Sequence, residues 1–331
     1  MKNKAMEILA YYPITPEEAE TNGNVTKVQA KEGTFALKKT RLPPDYMERF
    51  EQTLHYFEKE QLQTITPVLR TKRGNWFVRK ENALYYLMPW GATPQKTPET
   101  VYFKTLALFH RQTNNPVLLE DRKDDILATK KRRTEEQINT LEAIADHIEQ
   151  KRYFSPLELN YLLHFPLLAN TAMNSARYVE EWLLDQEEEA TMNEVYCHGS
   201  PTPDHIIVDG RGSHRFINVE KANINHPHRD VAHLYRACME NRLAERVTGY
   251  EWVYTYKEHF PTKRYDDYLL KSYLTSLPNF HVIIQPLTKR SPQEEPYVTA
   301  RFMREMWLLE KMQEDMERWP APVEAREADS T

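Results

Sequence analysis

Residues 25–40 read VTKVQAKEGTFALKKT, two short runs of β-branched and apolar residues broken by polar positions. They predict a pair of strands about the turn Lys31-Glu32-Gly33. Asn22-Gly23, just upstream, is a hairpin signal. Thr15-Pro16-Glu17-Glu18 has the form of a capping box with proline at the first helical position. It predicts a short helix or turn there. The spacing changes after Pro43-Pro44-Asp45, where Met47, Phe50, Leu54 and Phe57 fall on one helical face as far as about residue 60. ITPVLRT, NWFVRK and ALYYLMPW return to strand character, and the last closes at Met88-Pro89-Trp90.

Beyond residue 97 the pattern is mainly helical. Thr97-Pro98 opens a helix carrying Leu106, Phe109 and His110. Capping boxes at Thr134–Gln137 and Ser155–Glu158 predict two further starts, the first followed by Ile138, Leu141, Ile144 and Ile148 on one face. A long helix is expected over about 170–187, ending in the acidic run 185–189, and others over 230–242, 246–258, 265–276 and 299–318. Phe302, Met306, Leu309, Met312 and Met316 form a stripe suited to core packing. The segment 320–331 (PAPVEAREADST) carries too little apolar surface to pack and is expected to be disordered.

Composition narrows the function classes. A net charge of −5 over 331 residues gives no case for general nucleic-acid binding. Only eight glycines occur, and neither GxGxxG nor GxxxxGK[ST] is present, which argues against Rossmann and P-loop phosphate cradles. The two cysteines, Cys197 and Cys238, sit in apolar surroundings and read as reduced core residues. No stretch approaches the roughly 20 apolar residues of a membrane span. The first residues, MKNKAMEILAYYPITPEE, lack a signal-peptide core, so synthesis and folding are expected in the cytosol.

Residues 195–236 read VYCHGSPTPDHIIVDGRGSHRFINVEKANINHPHRDVAHLYR. With the ALKK strand, the LALFHR segment and the stretch FSPLELNYLLHFPLLANTAMNSARYVEEW, they resemble the bacterial endospore coat kinase-like family (CotS/YutH). That family lies within the aminoglycoside phosphotransferase and choline kinase superfamily. The resemblance spans about residues 10–318, and its specificity lies in the order and spacing of short motifs. It implies an α+β, bilobal protein-kinase-like fold, with an antiparallel-sheet N-lobe and a mostly helical C-lobe. On that reading residues 1–90 are the N-lobe up to the hinge, residues 91–319 the C-lobe with a helical insert at about 120–193, and residues 320–331 a tail.

The superfamily pattern is roughly His-Gly-Asp-x-x-x-x-Asn, two hydrophobic residues, a turn, Ile-Asp-x-Glu, then an Asp-Leu-Ala helix. Its frame survives here as His198, Gly199, Ile206, Ile207, Ile217, Glu220, Asp230 and Ala232. The catalytic-base position holds Ser200, and the two magnesium-ligand positions hold His205 and Asn218. A serine hydroxyl is a poor base near neutral pH. Magnesium is a hard ion that favours carboxylates; an amide oxygen brings no charge and an imidazole nitrogen suits softer metals. Asp204 and Glu220 are the acids that would have to bind metal from displaced positions. By the same resemblance Lys38 would hold nucleotide phosphates, with Glu51 (or Glu48) as its helical partner, and Met88 to Trp90 would form the adenine hinge. Asp230 would support the catalytic loop and hold His198.

Six histidines fall between 198 and 233. A zinc set of His205, His226 and His228 with Asp204 is conceivable from the residue types alone. Yet His198 is accounted for by the frame, no HExxH occurs, and no metal site is expected. Histidines of such a cluster titrate between roughly pH 5 and 7. The resemblance implies a catalytically inactive kinase-like component of the endospore coat, acting in sporulation with other coat proteins as partners. No cofactor is required on that reading. The competing readings are a pseudokinase that binds ATP with or without magnesium, and an active small-molecule phosphotransferase with displaced ligands. The acidic run 185–189 and the basic run Lys130–Arg133 are candidate contact faces, although solvated helix ends carry such runs commonly.

Overall fold

The computed structural model describes residues 2–94, 96–184, 191–242, 245, 247–263, 266–276, 287 and 291–319. The acidic run and the tail lie outside the described residues. The chain packs as two compact units: residues 1–114 with 195–225, and residues 115–194 with 226–331.

In the first unit a helix α1 (Lys2–Leu9) precedes strands β1 (Pro16–Asn22), β2 (Val25–Ala30) and β3 (Gly33–Thr40). Helix α2 (Pro44–Lys59) and strands β4 (Val78–Lys80) and β5 (Ala83–Pro89) follow. The strands form an antiparallel sheet in the order β1-β2-β3-β5-β4. Alternation along β3 sends Phe35 and Leu37 to one face, where Ile8, Leu9, Tyr12, Val28, Tyr85 and Leu87 join them. The opposite face carries Lys38 and Tyr86, which are register partners. There Phe50 of α2 packs edge-on against Tyr86 and stacks on Phe77.

The start of this unit holds a helix outside the elements expected from the sequence, and one expectation fails there. Residues 2–9 are helical because Ala5, Ile8, Leu9 and Tyr12 repeat at helical spacing and are all buried. Thr15 to Glu18 does not start a helix. Glu32, in the turn between β2 and β3, accepts both the Thr15 N–H (2.8 Å) and the Thr15 hydroxyl (3.0 Å), and the chain runs on as edge strand β1. ITPVLRT is tied in through single bridges, Ile65 to Phe216 and Leu69 to Leu87, rather than a strand.

Helix α3 (Glu99–Thr113) buries Phe103, Leu106, Ala107 and Phe109 within the first unit. The strand β7 (Thr191–Cys197) enters this unit at residue 195, and its last residues pair with β10 (Asn223–Asn225). Between them the hairpin β8 (Ile206–Val208) and β9 (His214–Phe216) folds back on itself.

The second unit is helical. Strand β6 (Asn115–Leu118) pairs with residues 191–194. Its helices include α4 (Lys123–Glu149), α5 (Pro156–Leu184), α6 (His228–Asn241), α7 (Tyr250–His259), α8 (Asp266–Leu274) and α9 (Glu295–Glu317). Ser155–Glu158 is a true capping box: Ser155 N–H donates to Glu158 at 2.9 Å and Glu158 N–H to Ser155 at 3.3 Å. Thr134 is not a start, since α4 already runs from Lys123 and buries Thr134 at mid-length. The helices expected from 155 and from about 170 are one, and Pro166 is accommodated inside it. Phe302, Met306 and Leu309 pack with Leu141, Tyr161 and Leu168 in one core.

A buried carboxylate ties α6 and α9 together. Asp315 Oδ2 accepts the Tyr235 hydroxyl, the Gly249 N–H at 3.0 Å and the Trp319 indole N–H at 3.1 Å. Burial and the adjacent carboxylate push the Tyr235 phenol well above its ordinary value. Asp315→Ala should leave these donors without their acceptor and cost about 3–5 kcal/mol. Denaturant unfolding would measure it; a loss under about 1 kcal/mol would show that water replaces the carboxylate.

Candidate functional site

Strand register places Lys38 beside Tyr86, and both meet the segment 218–220 of the same unit. Lys38 Nζ lies 2.6 Å from Glu220 Oε1 and donates to Asn218 Oδ1. The Tyr86 hydroxyl donates to the same Glu220 oxygen at 2.7 Å. The Lys38 and Glu220 side chains are 15% and 9% exposed, so this is a largely dry ion pair. Burial works to raise the Glu220 carboxyl, but the Lys38 charge, its hydrogen bond and that of Tyr86 override it and hold the group below its ordinary value. The Tyr86 phenol is pushed well above its ordinary value by burial and by the Glu220 charge.

The backbone that delivers Glu220 is unusual. Asn218 has φ 65° and ψ 40°, a left-handed conformation that asparagine tolerates better than most residues. The chain then makes a single 3-10 turn over Val219–Lys221. Gly199 supports it from the other side. Its φ is +83°, and a Cβ there would lie 2.3 Å from the Lys221 carbonyl oxygen, so only glycine fits.

His198 is fully buried. Its Nε2–H donates to the Ile217 carbonyl at 2.7 Å while Nδ1 accepts the Ser200 N–H at 3.3 Å. That pattern belongs to a neutral ring. His205 donates from Nδ1 to the Ser200 carbonyl at 2.8 Å and stacks on His198, with ring centroids 5.6 Å apart. Burial lowers the His205 pKa; the bond to Ser200 opposes this and the Lys38 charge reinforces it. Both rings therefore brace the loop as neutral groups. Ser200 contributes its backbone N–H and carbonyl to this brace.

The positions expected to form the hinge differ from one another. Met88 is buried, whereas Trp90 is 40% exposed with Lys27 over its ring at 5.1 Å. Trp90 N–H donates to the Thr34 carbonyl, and Ala92 exchanges two hydrogen bonds with Val208. Glu51 does not meet Lys38: it borders a cavity of about 560 Å³ beside Tyr11, Trp76 and Arg79. The buried Glu220 needs a cation, and Lys38 supplies it in place of the expected Glu51 pairing. Asp204 is exposed in the 3-10 turn Pro203–His205. Asp230 is buried in the first turn of α6, in the second unit. His226 and His228 do meet, stacked at 4.9 Å, but the third group near them is Asp266 of α8, not Asp204. Asp266 accepts the Lys263 N–H at 2.8 Å and the Trp182 indole N–H at 3.4 Å.

Tyr86 and the Lys38–Glu220 pairing escaped the sequence reading. Tyr86 sits in the unbroken apolar run ALYYLM, whose register no spacing reveals.

The family described as spore coat putative kinase YutH matches residues 5–315. The chain belongs to that family. No curated protein sequence matches the chain. Among solved structures it is similar to an aminoglycoside phosphotransferase from Alicyclobacillus acidocaldarius, with a TM-score of 0.71 and 16% identity over 95% of this chain and 96% of that one. It is also similar to the AMP-bound spectinomycin phosphotransferase APH(9)-Ia, with a TM-score of 0.60 and 12% identity over 94% and 97% of the two chains. The spore coat family member thus has the kinase-like phosphotransferase fold, with an antiparallel N-terminal sheet and a mostly helical remainder.

The ion pair sets a pH dependence. Glu220 is depressed in the fold, so its contribution is present above the unfolded carboxylate value of about 4.3 and is lost as pH falls through the lower folded value. Lys38→Met should strand Glu220, cost about 3–5 kcal/mol at neutral pH, and raise the carboxyl. The mutant's deficit should then shrink as acid neutralises Glu220. Unfolding free energies at neutral and acid pH test this; a deficit independent of pH would mean that Glu220 finds another partner.

Proposed function

We propose that this spore coat kinase-like protein is not a working phosphotransferase and serves the endospore coat as a structural or interaction component during sporulation, with other coat proteins as its partners. The observation that carries this reading is the occupation of Lys38. Phosphoryl transfer needs that ammonium and divalent metal on the nucleotide phosphates, and a carboxylate on the attacking hydroxyl. Here Lys38 is neutralised by Glu220 and donates a hydrogen bond to Asn218 within the unit, and Glu220 is one of the two acids that a displaced metal would need. A magnesium nucleotide would have to break a dry ion pair to enter. Ser200 supplies no base and His205 no hard ligand.

A second reading is favoured by the retained lysine and by the fold's relatives. The spectinomycin phosphotransferase is solved with AMP, and an amicoumacin kinase of TM-score 0.51 with AMP-PNP and Ca2+. On this reading the protein holds ATP without catalysis, and ATP opens the Lys38–Glu220 pair. Restoring an active enzyme would need Asp204 or Glu220 as displaced ligands, together with a base that Ser200 does not provide.

Calorimetric titration with ATP, with and without magnesium, is the test, followed by assay of ATP turnover. We expect no turnover in either condition, and tighter metal-independent ATP binding by Glu220→Gln than by the native chain, because Lys38 is then released. Magnesium-dependent binding with turnover would overturn the proposal. Converting Ser200→Asp, His205→Asn and Asn218→Asp together then measures how far the chemistry lies from recovery.

A further inference from the structure

The basic run Lys130–Arg133 is not a solvated helix end. It lies in the middle of α4, and helical geometry splits it. Lys131 turns to Glu180 at 2.8 Å and Arg132 to Glu136 at 2.9 Å. Lys130 and Arg133, three residues apart, line a cavity of about 560 Å³ built by α4, α5 and α8 of the second unit. Arg122, Thr129, Gln137 and Tyr273 also border it.

Lys130 is chemically out of place there. Its ammonium bonds the hydroxyls of Ser175 and Ser276, the latter at 3.1 Å, and forms no ion pair among the described residues. Burial and the Arg133 charge, in that order, push its pKa down to about 8. No carboxylate among the described residues works against them. Arg122 is committed to Glu194, and the exposed Asp125 at the rim exerts no counteracting pull on Lys130. A partly buried ammonium with a guanidinium three residues along the same helix at one cavity is unfavourable unless an anion arrives. Two cations flanked by hydroxyl and amide donors match an oxyanion: an ammonium as point charge, a guanidinium as fork.

We propose that the α4–α5–α8 cavity binds a small molecule through a phosphate or carboxylate group, with Lys130 as its half-buried counter-charge and Arg133 as its outer donor. Bound anion raises the Lys130 pKa, so binding above about pH 8 takes up a proton. The site is independent of the Lys38 cluster, which belongs to the first unit.

The experiment titrates the full chain calorimetrically with inorganic phosphate and, separately, with citrate. It is run at about pH 8.5 in two buffers of different ionisation enthalpy. The expected result is binding of one anion with proton uptake. Phosphate alone would identify a phosphoryl ligand; citrate alone, a carboxylate ligand. Lys130→Met should abolish the proton uptake and weaken binding by about tenfold or more. Its similar-sized apolar side chain suits the buried stem, and a thermal unfolding curve checks the fold. Arg133→Gln, at an exposed position, should weaken binding and reduce the uptake without abolishing it, because burial still depresses Lys130. No binding of either anion at millimolar concentration overturns the proposal. So does binding unchanged in both variants.

Discussion

The Lys38–Glu220 pair is the constraint around which the first unit is organised. Each charge is largely withdrawn from water, and each is the other's counterion. A dry pair of this kind holds only when its remaining donors and acceptors are met. Tyr86 and Asn218 meet them, which joins β3, β5 and the turn at 218–221 into one polar cluster beside the aromatic packing of Phe50 and Phe77. A kinase-type fold ordinarily keeps such a lysine for the phosphates of its nucleotide. Here Glu220 supplies the counter-charge of Lys38 from within the same unit.

That arrangement also explains what was legible in the chain and what was not. Helix α2 and the β2–β3 hairpin could be read because their signals are local: a proline start, a one-sided apolar stripe, a glycine turn. The kinase-like frame from His198 to Ala232 was readable as order and spacing. The partner of Lys38 was not, because Glu220 is distant in sequence and strand register fixes which side chains meet across β3 and β5. Glu51 was a reasonable expectation from helical position, but Glu51 borders a different cavity.

Two short motifs of the same form had opposite fates. Ser155–Glu158 closes as a reciprocal cap, whereas Thr134–Gln137 lies inside α4. The difference lies upstream. Acids at 124 and 125 favour an earlier helix start, and nothing between them and Thr134 breaks it. Thr15–Glu18 failed for another reason, since Glu32 from the β2–β3 turn outcompeted the local acid. Local capping chemistry therefore decides an element only where no tertiary partner reaches the same donors.

The left-handed Asn218 has a consequence of its own. Aspartate and asparagine are nearly isosteric, and both tolerate that backbone region better than other side chains with a Cβ. With Gly199 kept where no Cβ fits, the main-chain path of the loop depends on features that no reaction requires. Shape and reactivity are therefore separable at this place in the fold. A swap between those two side chains at position 218 would change the charge beside Lys38 without redrawing the loop that carries Glu220.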